Sequence, residues 1–257
     1  MHQREKALRK ILIATSLILA AHAHAIEKKD IDILSLKTGM SLAEVENTIK
    51  AKFPNAVIYS QAKFKSEFGL PESIGKIGYC FGEATKPGAK EMHGGIPVYF
   101  GCSTKLVELS FTRIGAKVFK IERKEDYDSS RGKQKVSWDS AMQAAKQKYG
   151  EPTVKTGETI LTWQPQQAGS PQATNCSLQN FERNKPDYRS YLPGCGFHLT
   201  FSSNKLLSNP GLASNLSMAL IDYEVVNEDF AKLETLAKGH QQQRQSDELK
   251  GAAAPKM

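Results

Sequence analysis

The sequence predicts an α+β fold made by tandem duplication. Each unit is a short amphipathic helix packed on an antiparallel sheet, with one disulfide-closed loop. Three observations predict this. The apolar stripe Leu42, Val45, Ile49, Phe53 recurs 96 residues later as Trp138, Ala141, Ala145, Tyr149. At the same offset Cys80 falls on Cys176, while the second cysteines, Cys102 and Cys195, miss it by three residues, as a loop deletion would produce. After each stripe the chain turns to runs that mix apolar and charged residues, as half-exposed strands do.

The first element is a leader. Met1 to Lys10 is basic, Ile11 to Ala21 is apolar apart from Thr15 and Ser16, and Ala23-His24-Ala25 supplies small residues at −3 and −1. Residues 1–25 therefore read as a signal peptide. Its apolar run spans roughly 16 Å as a helix, about half a bilayer, so no permanent membrane anchor is expected. Export places the four cysteines in an oxidising compartment, where an even count reads as two disulfides. Three pairings are open. The local ones, Cys80–Cys102 and Cys176–Cys195, each close a loop of about 20 residues and stabilise by roughly 3 kcal/mol in the chain-entropy model.

The first repeat covers 26–127. Ser41-x-x-Glu44 is a capping box, Met40 can staple onto Val45, and Pro54 stops the helix. Strand-like runs follow at 56–59, 98–100, 106–112 and 117–123, around a loop rich in Gly and Pro. A polar linker, Tyr127 to Lys135, leads into the second repeat, 128–226. There Ser137 is the cap, Gly150 and Pro152 are the breakers, and strands are expected at 159–163, 197–201 and 218–226. The last segment, 227–257, reads as a short helix and a tail. Asn227 caps the helix, Phe230, Leu233 and Leu236 share a face, and Gly239 ends it. From His240 the tail shows no apolar periodicity and is expected to be disordered.

The phrase Leu36-x-x-Gly39-Met40-Ser41-x-x-Glu44-Val45, opening a short helix before a meander, resembles the start of the SmpA/OmlA envelope domains. The tandem plan is also similar to that of β-lactamase inhibitor proteins, built from helix-plus-sheet units with a disulfide in each. The resemblance implies a fold of non-catalytic, exported binding modules.

Composition excludes several functions. The chain is 40% hydrophobic and 24% charged, within the ordinary globular range. Removing Arg4, Lys6, Arg9, Lys10 and Glu5 with the leader leaves 31 basic against 26 acidic residues. That excess is mostly lysine and lacks the arginine–aromatic interleaving of nucleic-acid binders, so no nucleic acid is expected as a partner. Ser-x-x-Lys occurs at Ser60, Ser73, Ser130 and Ser202, and Lys-Thr-Gly at Lys37 and Lys155, but the pattern lacks a Ser-Asp-Asn element between them. After the leader only His93, His198 and His240 remain, with no His-x-x-x-His or Cys-x-x-Cys spacing for zinc. Carboxylate pairs such as Asp126/Asp128 and Glu122/Glu125 need a fixed separation across a cleft to act. No catalytic residue, metal or cofactor is assigned. The segment from Phe181 to Tyr191 packs three aromatics and three cations into eleven residues, and Arg183, Tyr188, Arg189 and Tyr191 are the expected partner contacts. The functional expectation is a periplasmic or secreted non-enzymatic protein that recognises a protein or envelope component. The alternatives are a hydrolase of cell-wall or exported substrates, or an inhibitor of a secreted hydrolase.

Overall fold

A computed structural model describes residues 27–81, 90–93, 96–99, 105–127, 135–164 and 196–251, with backbone alone at 90–93 and 96–99. Serine caps start the first two helices. In α1 (Leu42–Lys52) the Ser41 hydroxyl accepts the Glu44 N–H, and the Glu44 carboxylate accepts the Ser41 N–H at 2.7 Å, which closes the capping box. In α2 (Trp138–Tyr149) the Ser137 hydroxyl accepts the Ser140 N–H, and Gly150 ends the helix at φ 78°. Val45, Ile49, Ala141, Ala145 and Tyr149 are buried in one core, with Leu42, Phe53 and Trp138 packed against it. Both expected stripes thus face inward.

The strands are β1 (Val57–Phe64), β2 (Ser73–Cys80), β3 (Lys90–His93), β4 (Ile96–Tyr99), β5 (Lys105–Phe111), β6 (Val118–Asp126), β7 (Val154–Thr156), β8 (Ile160–Trp163), β9 (Phe197–Ser202), β10 (Lys205–Leu206), β11 (Asn209–Ala213) and β12 (Asn215–Asp222). Eight of them form one antiparallel sheet in the order β1-β2-β5-β6-β12-β9-β8-β7. The fold is α+β. Four neighbouring strands come from 26–127 and four from 128–226, and they join at β6–β12, where Ile121 faces Leu220. Strand alternation sends Val107, Leu109 and Phe111 of β5, and Phe197, Leu199 and Phe201 of β9, into the core under the helices. The residues between them lie on the opposite face.

Three departures from the sequence expectation shape the core and the C-terminus. β2 was not anticipated, because Gly75 and Gly78 lower its strand signal. The structure uses those glycines for close approach: a Cβ on Gly75 would lie 3.1 Å from the Phe64 ring, and one on Gly78 2.3 Å from the Tyr59 ring. The segment before α1 is core rather than a loose lead-in. Ile31, Ile33 and Leu36 are fully buried. A two-residue turn at Leu34 and Ser35, both at positive φ, closes between Ile33 and Leu36. The turn ties the ends of both helices together. Tyr149 Oη donates to the Asp32 carbonyl at 2.8 Å, and Lys52 Nζ to Ser35 Oγ at 2.6 Å. Turns of this kind usually carry Asn-Gly, so Leu-Ser leaves no signature to read.

The third departure corrects the C-terminus. Instead of a short helix from Asn227 to Gly239 and a disordered tail, α3 runs continuously over Tyr223–Gly251. Its cap is Asp222, at the end of β12, whose carboxylate accepts the N–H groups of Glu224 and Val225 at 3.1 and 3.3 Å. β12 therefore ends at Asp222, and the last residues expected as strand are the first turn of the helix. A mid-helix glycine costs only about 1 kcal/mol. Pairs at i, i+4 on either side, Glu234–Lys238 at 2.9 Å and Gln243–Asp247 at 3.1 Å, support the polar helix. Among the described residues no helix is long and apolar enough to cross a membrane.

Candidate functional site

The face opposite α1 and α2 is where the sheet offers chemistry; it is covered in part, since Ile221 on it is buried and the C-terminal helix packs on β6 and β9. Register sets its rows: Gly78, Glu108, Glu122, Ala219, Thr200 and Thr162 are successive cross-strand partners, with Lys76, Ser110, Lys120, Ile221 and His198 in the adjoining row. The half contributed by β2, β5 and β6 is charged, and the half contributed by β12, β9 and β8 is lined by hydroxyls.

The charged half is built around two carboxylates on directly opposed residues. Lys76 Nζ lies 3.1 Å from Glu108 Oε1, and Lys120 Nζ 3.0 Å from Glu122 Oε2. Tyr59 reaches the same cluster from the sheet edge: its ring passes over Gly78, and its hydroxyl donates to Glu108 Oε1 at 3.1 Å. Burial, reinforced by the Glu108 charge, raises the Tyr59 pKa, so the phenol stays protonated as a donor. The Glu108 and Glu122 side chains are each only 12% exposed and Lys120 6%, so the cluster is held in place rather than loosely solvated. Each carboxylate has its own ammonium partner. As two compensated pairs they form a patterned polar surface.

Compared with family models, curated proteins and solved structures, the chain matches none of them.

α3 packs on β6 and β9 and is pinned by a second carboxylate. Asp229, buried, accepts the N–H groups of Arg113, Ile114 and Gly115 at 2.7, 2.9 and 3.2 Å, which closes the β5–β6 turn around it. The Arg113 guanidinium donates in turn to Ser73 Oγ at 2.8 Å and to the Lys65 and Leu70 carbonyls. These bonds are structural, tying α3 to the β1–β2 hairpin.

The sequence candidates are distributed as follows. Cys80 ends β2, is buried and is disulfide-bonded. Cys102, Cys176 and Cys195 lie outside the described residues, as do the expected contacts Arg183, Tyr188, Arg189 and Tyr191. Glu122 and Glu125 do not act together. Glu122 faces the open side, whereas Glu125 points to the helix side, where it pairs with Arg123 and accepts the Tyr127 hydroxyl at 2.6 Å. Asp128 lies outside the described residues. Ser60–Lys63 and Ser73–Lys76 fall on strands; Ser73 Oγ accepts from the Arg113 guanidinium and Lys76 pairs with Glu108, so that serine and lysine serve different partners. His198 is half-buried on the open face of β9. Among the described residues no group of three His, Cys, Asp or Glu side chains could hold a metal ion.

The cluster of Tyr59, Lys76, Glu108, Lys120 and Glu122 was not singled out from sequence. Its signal is the alternation itself: Glu108 stands between Val107 and Leu109, and Lys120 and Glu122 flank Ile121. Charges at every second position of buried strands mark one wet face. Which charges meet across strands depends on register, which neighbouring residues do not reveal.

Proposed function

We propose that the protein is an exported, non-enzymatic binding protein and that the face of its sheet opposite α1 and α2, at the charged cluster, contacts a protein or envelope partner. The observation that carries this reading is the Tyr59–Lys76–Glu108–Lys120–Glu122 cluster. Half-buried charges fixed by their neighbours confer specificity at little ordering cost when a partner docks. A leader-like first 25 residues and the disulfide at Cys80 support export to the periplasm or beyond. The resemblance to envelope and inhibitor modules points the same way.

The reading includes a duplication. The two halves each supply one capped helix and four strands. The segment before each helix also ends alike: Met40 O accepts the Val118 N–H at 2.8 Å, and Val136 O the Ala213 N–H at 2.9 Å. Local disulfides fit the same plan. Cys80 is paired across the sheet with Leu106, and Cys102 precedes that strand by three residues. Cys195 likewise precedes β9 by two residues in sequence.

The test is site-specific photo-cross-linking in intact cells. Lys124 is exposed on the proposed face, and Lys50 is exposed on α1. A cross-linker at 124 is expected to trap one stoichiometric partner that a cross-linker at 50 does not. No adduct at 124, or the same adducts at both positions, contradicts the reading. A partner identified as a secreted hydrolase would make the protein its inhibitor.

A further inference from the structure

Where β5 and β6 are joined by a short turn, the chain between β9 and β12 makes a separate ribbon from β10 and β11. Leu206 pairs with Asn209, so Leu207 and Ser208 form the tip, and Leu207 is 99% exposed. The base of the ribbon is firmly held. Lys205 Nζ lies 4.3 Å over the Trp138 ring and 2.9 Å from Glu158. Trp138 Nε1 donates to the Ser203 carbonyl at 2.9 Å, and Leu212 bridges to Ser137. A ribbon anchored at its base therefore carries a bare leucine into solvent.

Beside that base lies a groove of about 300 Å³ between α2 and the β7–β8 hairpin. Buried Met142 and Leu161 line it together with Trp138, and the exposed Asp139, Lys155 and Glu158 lie around them. Trp138 and Glu158 both grip the ribbon and line the groove, so an apolar knob and an apolar-floored socket stand side by side on one surface.

We propose that this surface is self-complementary: in a twofold dimer, Leu207 of each copy enters the groove of the other. An isologous contact requires one patch to carry both the knob and its socket, close to the symmetry axis, and this patch does. The rim carries both signs of charge, so Lys155 of one copy can face Asp139 or Glu158 of the other, whereas a rim of one sign would repel its twin. Two such contacts bury a small interface, which fits a dimer that dissociates at micromolar concentration or above. The patch lies on the helix side of the sheet, so dimerisation leaves the proposed binding face open.

Sedimentation velocity from micromolar to near-millimolar concentration tests this on the purified protein. The unaltered chain is expected to shift from monomer to dimer. Leu207→Asp, at a wholly exposed position, and Gln143→Trp, at an exposed residue that also lines the groove and whose ring would fill it, are each expected to remain monomeric with an unchanged circular dichroism spectrum. A monomer at every concentration overturns the proposal. So does a dimer that survives either substitution, because then the knob or the socket is not the contact. If Gln143→Trp perturbs the spectrum, Gln143→Arg takes its place and is read the same way.

Discussion

At the scale of single residues, Gly78 and Tyr79 are adjacent in β2 and serve opposite faces. Gly78 is the gap through which Tyr59 reaches Glu108. A methyl group there would lie 2.3 Å from the Tyr59 ring and 2.5 Å from Ser60 Oγ. Gly78→Ala is therefore expected to cost about 1–3 kcal/mol by overpacking, read from urea unfolding. It should also displace Tyr59 from Glu108, read as a lowered phenol pKa. Tyr79 is buried in the core, its hydroxyl has no hydrogen-bond partner among the described residues, and burial, with the nearby Glu46 charge, pushes its pKa up to about 12. Tyr79→Phe removes no hydrogen bond, so it should leave stability unchanged or raise it by up to about 1 kcal/mol. The folded phenol holds its proton above the ordinary tyrosine value near 10. Its contribution is therefore present in full below pH about 10 and is lost as pH rises towards 12. Tyr79→Phe should unfold with a shallower loss of stability across that window, and an identical alkaline decline would rule the assignment out. The core membership of Val45, Ile49 and Tyr149 was readable from spacing alone. The role of Gly78 was not, because a glycine in sequence looks the same whether it ends a strand or admits a neighbour.

At the scale of elements, caps explain both the success and the failure of the sequence reading. Ser41 and Ser137 are local signals, and both helices begin where they stand. Asp222 is an equally good cap, but it closes a strand of apolar residues, so its second role is visible only once β12 has ended. It is also fully buried and serves Lys28 at 2.7 Å and Thr38 at 2.9 Å, partners far away in the chain. Asp229 is the counterpart inside α3. Its carboxylate satisfies three backbone N–H groups of the β5–β6 turn, so Asp229→Ala should leave them without an acceptor and cost about 2–4 kcal/mol. Chemical denaturation checks this, with the exposed neighbour Glu228→Ala expected to stay within about 0.5 kcal/mol of the parent. Equal effects of the two substitutions would mean that the turn does not depend on the carboxylate.

At the scale of the whole molecule, the sequence predicts two helix-plus-sheet units, and the structure joins four strands from each half in one sheet. Helix stripes and strand alternation are short-range patterns and carry the α+β class. The joining of β6 to β12 depends on two strands nearly a hundred residues apart, and nothing near Ile121 announces Leu220. The open face is a consequence of that join, because only a continuous sheet sets the charged half beside the hydroxyl-lined half. The account treats these halves as copies of one ancestral unit, each closed by its own sulfur bridge. Peptide mapping of the unreduced protein by mass spectrometry asks this directly. It should recover Cys80 linked to Cys102 and Cys176 linked to Cys195, whereas a bond from either cysteine of one half to the other half would contradict it.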